Sequence, residues 1–132
     1  MKKSLIILST IVLSICLFAS CSRHHRYRIH DNNLDLTVSE SGYVYRLKAN
    51  YNEDKTAAVQ RYINQSIEPN GLFSSSEDYF DINTELQDHT RFSIKSSPGK
   101  LEIKLNKQEN SYASYKRIKK MCEGVAGVLK EK

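Results

Sequence analysis

The sequence predicts an α+β two-layer sandwich, an antiparallel sheet of four to five strands with two helices on one of its faces. Three observations carry this expectation. Residues 34–51 and 80–106 alternate apolar and polar side chains with period two, broken by short turn sequences. Residues 53–67 and 110–129 repeat apolar side chains at steps of three and four, as an amphipathic helix does. The elements follow in the order strand, strand, helix, two or three strands, helix, and hairpin-length connections favour antiparallel pairing with both helices on the same face. No internal repeat is legible in the residues.

Taken along the chain, residues 22–33, "SRHHRYRIHDNN", have few apolar side chains and no period, so they read as a flexible tether. The runs 34–39 and 43–51 flank "ESG" and read as a hairpin. In the second run Tyr43, Tyr45, Leu47, Ala49 and Tyr51 share one face, and Val44, Arg46, Lys48 and Asn50 the other. Asn52 is placed to cap a helix from Glu53 to about Ile67, with Glu53 and Asp54 where the helix dipole favours negative charge. Ala58 or Val59, Tyr62, Ile63 and Ile67 form its apolar side, and "EPNG" ends it. The serine-rich run 72–79 reads as a surface loop. Three strands follow, at 80–86, 91–96 and 100–106, joined by "QDHT" and "SSPGK". Pro98 and Gly99 fit a type II turn, since proline fixes the first torsion and glycine accepts the positive one. Asn110 or Ser111 caps the last helix, in which Tyr115, Ile118, Cys122, Val125 and Leu129 form a stripe.

The first twenty residues belong to a different regime. Lys2 and Lys3 precede an almost wholly apolar run from Leu5 to Ala19, which reads as a secretory signal. About 15 apolar residues fall short of the roughly 20 that span a bilayer, so an uncleaved transmembrane anchor is the weaker reading. The run ends in "LFASCSRHH", where Ala19 and Ser20 stand immediately before Cys21. This junction resembles the lipobox of bacterial lipoproteins, with Phe18 in the place where leucine is usual. The resemblance covers the first 21 residues and implies that Cys21 carries diacylglycerol and becomes the acylated first residue of the mature chain. An ordinary signal cut after "FAS" or "LFA", leaving Cys21 as a free secreted thiol, is the competing reading. The domain division is then signal peptide 1–20, lipidated tether 21–33 and one α+β domain 34–132. A composition rich in Lys, Asn, Ser and Tyr resembles the small envelope lipoproteins of the Bacteroides group. Surface-exported members of that group carry acidic residues after the cysteine, so the basic "SRHHR" implies an outer-membrane protein facing the periplasm.

The formal charge of +5 is unevenly spread. Without residues 1–20 the chain has 18 basic against 15 acidic side chains, and residues 32–132 hold 15 against 14. The excess lies beside Cys21, where Arg23, Arg26 and Arg28 stand near the expected lipid and can meet anionic head groups. Nucleic acid is therefore not an expected partner. Of three cysteines, Cys16 leaves with the signal and Cys21 is acylated, which leaves Cys122 unpaired and central in a helical stripe, expected as a small buried apolar residue.

Groups that carry chemistry are scarce. There is no phosphate loop, nucleophile elbow, HExxH or paired-cysteine spacing. His24, His25 and His30 lack acidic or thiol company and read as solvated. No cofactor and no metal is expected. The outward face of the sheet should carry Arg46, Lys48, Arg91, Lys95, Lys100 and Lys104, with Glu102 as the clear counter-charge, which makes it a candidate surface for an anionic partner. It has no aromatic residues on which to stack bases. The expected function is a non-catalytic, membrane-anchored binding or accessory module. It would be attached through the lipid on Cys21 and would have an envelope protein or anionic surface as partner. The alternatives are an envelope hydrolase with an acidic site in 74–89, built from Glu77, Asp78, Asp81 and His89, and an inhibitor or immunity-type lipoprotein.

Overall fold

The computed structural model describes residues 24–69, 71–74 and 79–131. The fold is α+β, with one antiparallel six-stranded sheet and two helices on one face. In chain order the strands are β1 (His25–Asp31), β2 (Leu34–Glu40), β3 (Val44–Tyr51), β4 (Phe80–Glu85), β5 (Arg91–Ser97) and β6 (Lys100–Asn106). Helix α1 (Thr56–Ser66) follows β3, and α2 (Tyr112–Lys130) follows β6. The spatial order β1-β2-β3-β6-β5-β4 shows a repeat that the residues do not. Each half is a three-stranded meander followed by a helix, and the halves meet where β3 pairs with β6. The last strand and the helix also begin at matching intervals, Val44 and Thr56 in one half, Lys100 and Tyr112 in the other.

The core lies between sheet and helices. Leu47 faces Ile103 and Tyr45 faces Leu105 across the central β3–β6 pair. Phe92 and Ile94 of β5 continue this layer, and Ile118, Cys122, Val125 and Leu129 of α2 cover it, all of them buried. Ser111 caps α2 by accepting from the Ser114 backbone N–H at 3.0 Å. Helix α1 contributes Val59, Ile63 and the nearly inaccessible Gln60, whose amide donates to Ser96 of β5 at 3.3 Å. The helices approach closely because Gly124 has no side chain; a Cβ there would stand 1.7 Å from the Tyr62 hydroxyl. At the β5–β6 turn Gly99 has φ 73°, and a Cβ would meet the Tyr51 carbonyl at 2.7 Å, as the type II expectation requires.

Three local differences from the sequence reading have physical causes. The sheet has six strands where four to five were expected, because residues 25–31, expected within the tether, form edge strand β1. Among its inward positions His25, Tyr27, Ile29 and Asp31, Ile29 alone is even half-buried, so the strand carries almost no apolar alternation. Main-chain pairing with β2 along its whole length holds it, with Arg28 donating twice to the Asp35 carboxylate at 3.1 and 3.0 Å. Charged side chains suit an exposed sheet edge. Next, Glu53–Lys55 is a 3-10 turn ahead of α1, and the Asn52 side chain makes no capping bond. Finally, the expected surface loop is pinned at its start. The Asn64 side chain both donates to and accepts from the Phe73 backbone, at 2.6 and 2.9 Å, and buried Phe73 packs 4.7 Å from the Phe80 ring. No described helix is long and apolar enough to cross a membrane. The signal segment and Cys21 lie outside the described residues.

Candidate functional site

Among the described residues no element covers the second face of the sheet. Its outward positions carry the cations Arg26, Arg28, Arg46, Lys48, Arg91, Lys95, Lys100 and Lys104, against the acids Asp35, Asp81, Glu85 and Glu102. The candidate residues Arg46, Lys48, Arg91, Lys95, Lys100 and Lys104 therefore all lie on one surface. β1, which the sequence reading assigned to the tether, adds Arg26 and Arg28.

The pairing register sorts these charges into rows across the strands. One row runs Arg28, Thr37, Lys48, Glu102, Lys95 and Asp81, so that acids stand opposite bases. Here Lys48 lies 4.0 Å from Glu102 and Lys95 3.8 Å from Asp81. The neighbouring row runs Arg26, Ser39, Arg46, Lys104, Ser93 and Asn83, and it contains no carboxylate. Arg46 and Lys104 are direct cross-strand partners with the same charge, an arrangement that disfavours the sheet. Arg46 leans toward Glu102 at 3.7 Å, yet its buried Nε has no hydrogen-bond partner. Arg26, Lys100 and Lys104 make no ion pair among the described residues. Asn83, Ser93 and Lys104 open onto a shallow concavity of about 530 Å³, also bordered by Arg91, Asn106 and the acids Glu85 and Glu109. Hydroxyl, amide, ammonium and guanidinium donors meet here beside the carboxylates of Glu109 and of Glu85, the latter held by Arg91, and no outward strand position carries an aromatic ring. Such a row can hold oxyanions by hydrogen bond and charge.

The helix side has a second opening. Phe73 fills the inner face of the β4 edge, but among the described residues nothing equivalent fills the β1 edge, where a cleft of about 410 Å³ runs between β1, β2 and α2. Leu36, Val38, Tyr45, Cys122 and Ala126 line it, and Glu40, Lys119 and Glu123 stand at its rim. Cys122 is 1 % exposed, as its place in the stripe implies, and burial pushes its thiol up to about 12. Burial raises the Tyr45 hydroxyl in the same way. At one end of the cleft Glu40 accepts from Lys107 at 2.7 Å and from the Tyr115 hydroxyl, with Lys119 3.7 Å away. Burial alone would raise the Glu40 carboxyl, but these bonds and charges outweigh it and hold the group below the ordinary carboxylate range.

The remaining candidates do not converge. Glu77 and Asp78 lie outside the described residues. Asp81 near the start of β4 faces Lys95, whereas His89 lies in the turn after β4 at φ 65°, 3.0 Å from Glu85. His25 and His30 occupy opposite ends and opposite faces of β1. The sequence reading missed the acids Asp81 and Glu85 as counter-charges, because only the placement of β4 beside β5 brings them to this face. Comparison with family models, curated proteins and solved structures gives no match to this chain.

Proposed function

We propose that this chain is a lipid-anchored protein of a bacterial envelope, attached through Cys21 and facing the periplasm from the outer membrane. In this reading its domain is a non-catalytic module that binds a polyanion on the uncovered sheet face. The observation that carries the binding role is the carboxylate-free row from Arg26 to Asn83, in which Arg46 and Lys104 are held opposite each other without a shared acid. A like-charged cross-strand pair costs stability, and a bound oxyanion between the two side chains would relieve that cost. What supports the anchor is the "LFASC" junction after an apolar segment.

Each half of the reading has its own test. Cys21→Ala should abolish lipid labelling and free the protein from membranes, because several acyl chains hold a protein where one is only marginal. Membrane retention by that variant would contradict the anchor. For the face, the full chain should be retained on immobilised dextran sulfate at low salt and released toward physiological salt, where exposed charges are screened over about 8 Å. Arg26→Glu combined with Lys104→Glu should abolish retention; undiminished retention would assign polyanion binding to another surface.

A further inference from the structure

The proposed lipid on Cys21 and the position of β1 together orient the domain. The chain enters the sheet at His25, only four residues after Cys21, a reach of about 14 Å even when fully extended. A thirteen-residue tether would have let the domain turn freely; four residues hold one end of the sheet beside the acyl chains. His25 pairs with Glu40, so that end includes the β2–β3 turn. It also includes the start of α2, because the Lys107 backbone N–H donates to the Tyr43 carbonyl at 2.7 Å.

Two of the four exposed large hydrophobic side chains among the described residues sit at this end, Tyr43 at 64 % and Tyr112 at 73 % exposure. The Tyr112 ring leans on Tyr115 at 5.8 Å, and the Lys116 ammonium lies 5.6 Å from its centre. Lys116 supplies positive charge at the Tyr112 ring, and Arg26, next to His25 on β1, adds another cation at this end of the sheet. The acids at this corner are Glu40, already held by Lys107, Lys119 and Tyr115, and Glu109. At the far corner of the same end, Glu85 is paired with Arg91 and Asp88 with Arg117. Tyrosine favours the membrane–water boundary because its ring is apolar and its hydroxyl is wet, and flanking cations favour anionic head groups.

We propose that the end formed by His25, the β2–β3 turn and the start of α2 rests on the lipid surface, with Tyr43 and Tyr112 seated among the head groups. This rests on lipidation of Cys21. The strands then rise away from the membrane, and the basic face stands upright beside it, open to a partner in the periplasm.

The chain contains no tryptophan, so Tyr43→Trp, Tyr112→Trp and Tyr79→Trp each give a single fluorescent reporter. Tyr79 is 70 % exposed and precedes β4 at the opposite end of the sheet, which makes it the control. Full-length lipidated protein is inserted into vesicles of phosphatidylcholine and phosphatidylglycerol, with and without brominated acyl chains, and flotation is measured on the same samples. The expected result is blue-shifted emission and loss of intensity to bromine at positions 43 and 112, with neither change at 79. Protein that floats while 43 and 112 stay unquenched, or with 79 quenched as strongly, overturns the orientation and leaves the anchor standing. Protein that does not float overturns the anchor, and the orientation with it.

Discussion

Lys104→Glu separates the energetics of the sheet from its proposed binding role, because the substitution should stabilise the fold and weaken the interaction together. In the wild type, Lys104 faces Arg46 directly across β3 and β6, and the neighbouring position on β5 is Ser93, which offers no charge. A glutamate at 104 turns a like-charged pair into an opposite one and offers an acceptor to an Arg46 Nε that now has none. Cross-strand charge pairs are worth roughly 0.2 to 1 kcal/mol in either sense, and partial exposure and the nearby Glu102 hold the gain to about 0.5 to 1 kcal/mol. For a domain of about 100 residues this raises the melting temperature by about 2 to 8 °C. Lys95→Glu is the reference of opposite sign, since Lys95 stands opposite both Glu102 and Asp81 and its reversal leaves acids on either side. Thermal melts at low ionic strength should therefore rank Lys104→Glu above wild type and Lys95→Glu below it, and both variants should lose retention on dextran sulfate. Salt should compress the stability differences. A Lys104→Glu protein that melts below wild type would refute the charge-row argument, and one that melts higher yet binds dextran sulfate as wild type does would refute the binding role.

Three further outcomes follow from the core and its margins. Gly124 and Gly127 lie one turn apart in α2, and alanine at Gly127, which meets nothing within 4 Å, should stabilise by about 1 kcal/mol. Alanine at Gly124 must displace the Tyr62 ring and should cost about 1 to 3 kcal/mol of overpacking against that same gain; denaturant melts that place the two variants together would contradict the helix contact. Cys122→Ser should destabilise by roughly 1 to 3 kcal/mol and Cys122→Ala by less, and native protein should react with a thiol reagent far more slowly than unfolded chain. Because the Glu40 carboxyl is lowered in the folded state, its contribution is present above the ordinary carboxylate range and lost as the pH falls through the folded value. Below about pH 4 the wild type should thus lose stability more steeply than Glu40→Gln, and parallel melting curves for the two would remove Glu40 from the account.

What was legible in the sequence depended on whether burial had imprinted a period. β6 matches its expected limits, and α2 shows the expected stripe, because both press an apolar face into the core at regular intervals. Gly99 was legible for a local reason, the torsion its turn demands. β1 was not, since six of its seven residues are exposed and main-chain pairing rather than side-chain burial holds it in place. Phe73 was hidden by the serines beside it, although Asn64, nine residues earlier, fixes its backbone. The basic face was legible as six residues on alternating positions, but not its balance, because the acids Asp81 and Glu85 reach it only through the pairing of β4 with β5.

The same pairing explains why net charge is a poor guide to this molecule. Residues 32–132 are almost neutral, and by that measure no electrostatic partner would be sought. Topology distributes the charge unevenly. Alternation along six strands sends eight cations and four acids to one face, and register then gathers the acids into rows that leave the Arg26–Asn83 row without any. Exposed charges a Debye length apart hardly sense each other, whereas neighbouring strands lie about 4.8 Å apart, so a partner responds to the row and not to the total. Arg26 joins that row only because β1 is part of the sheet. The strand that shortens the proposed tether to four residues is thus also the strand that extends the basic row to the edge of the sheet, and an experiment that unpairs β1 should alter attachment geometry and polyanion binding together.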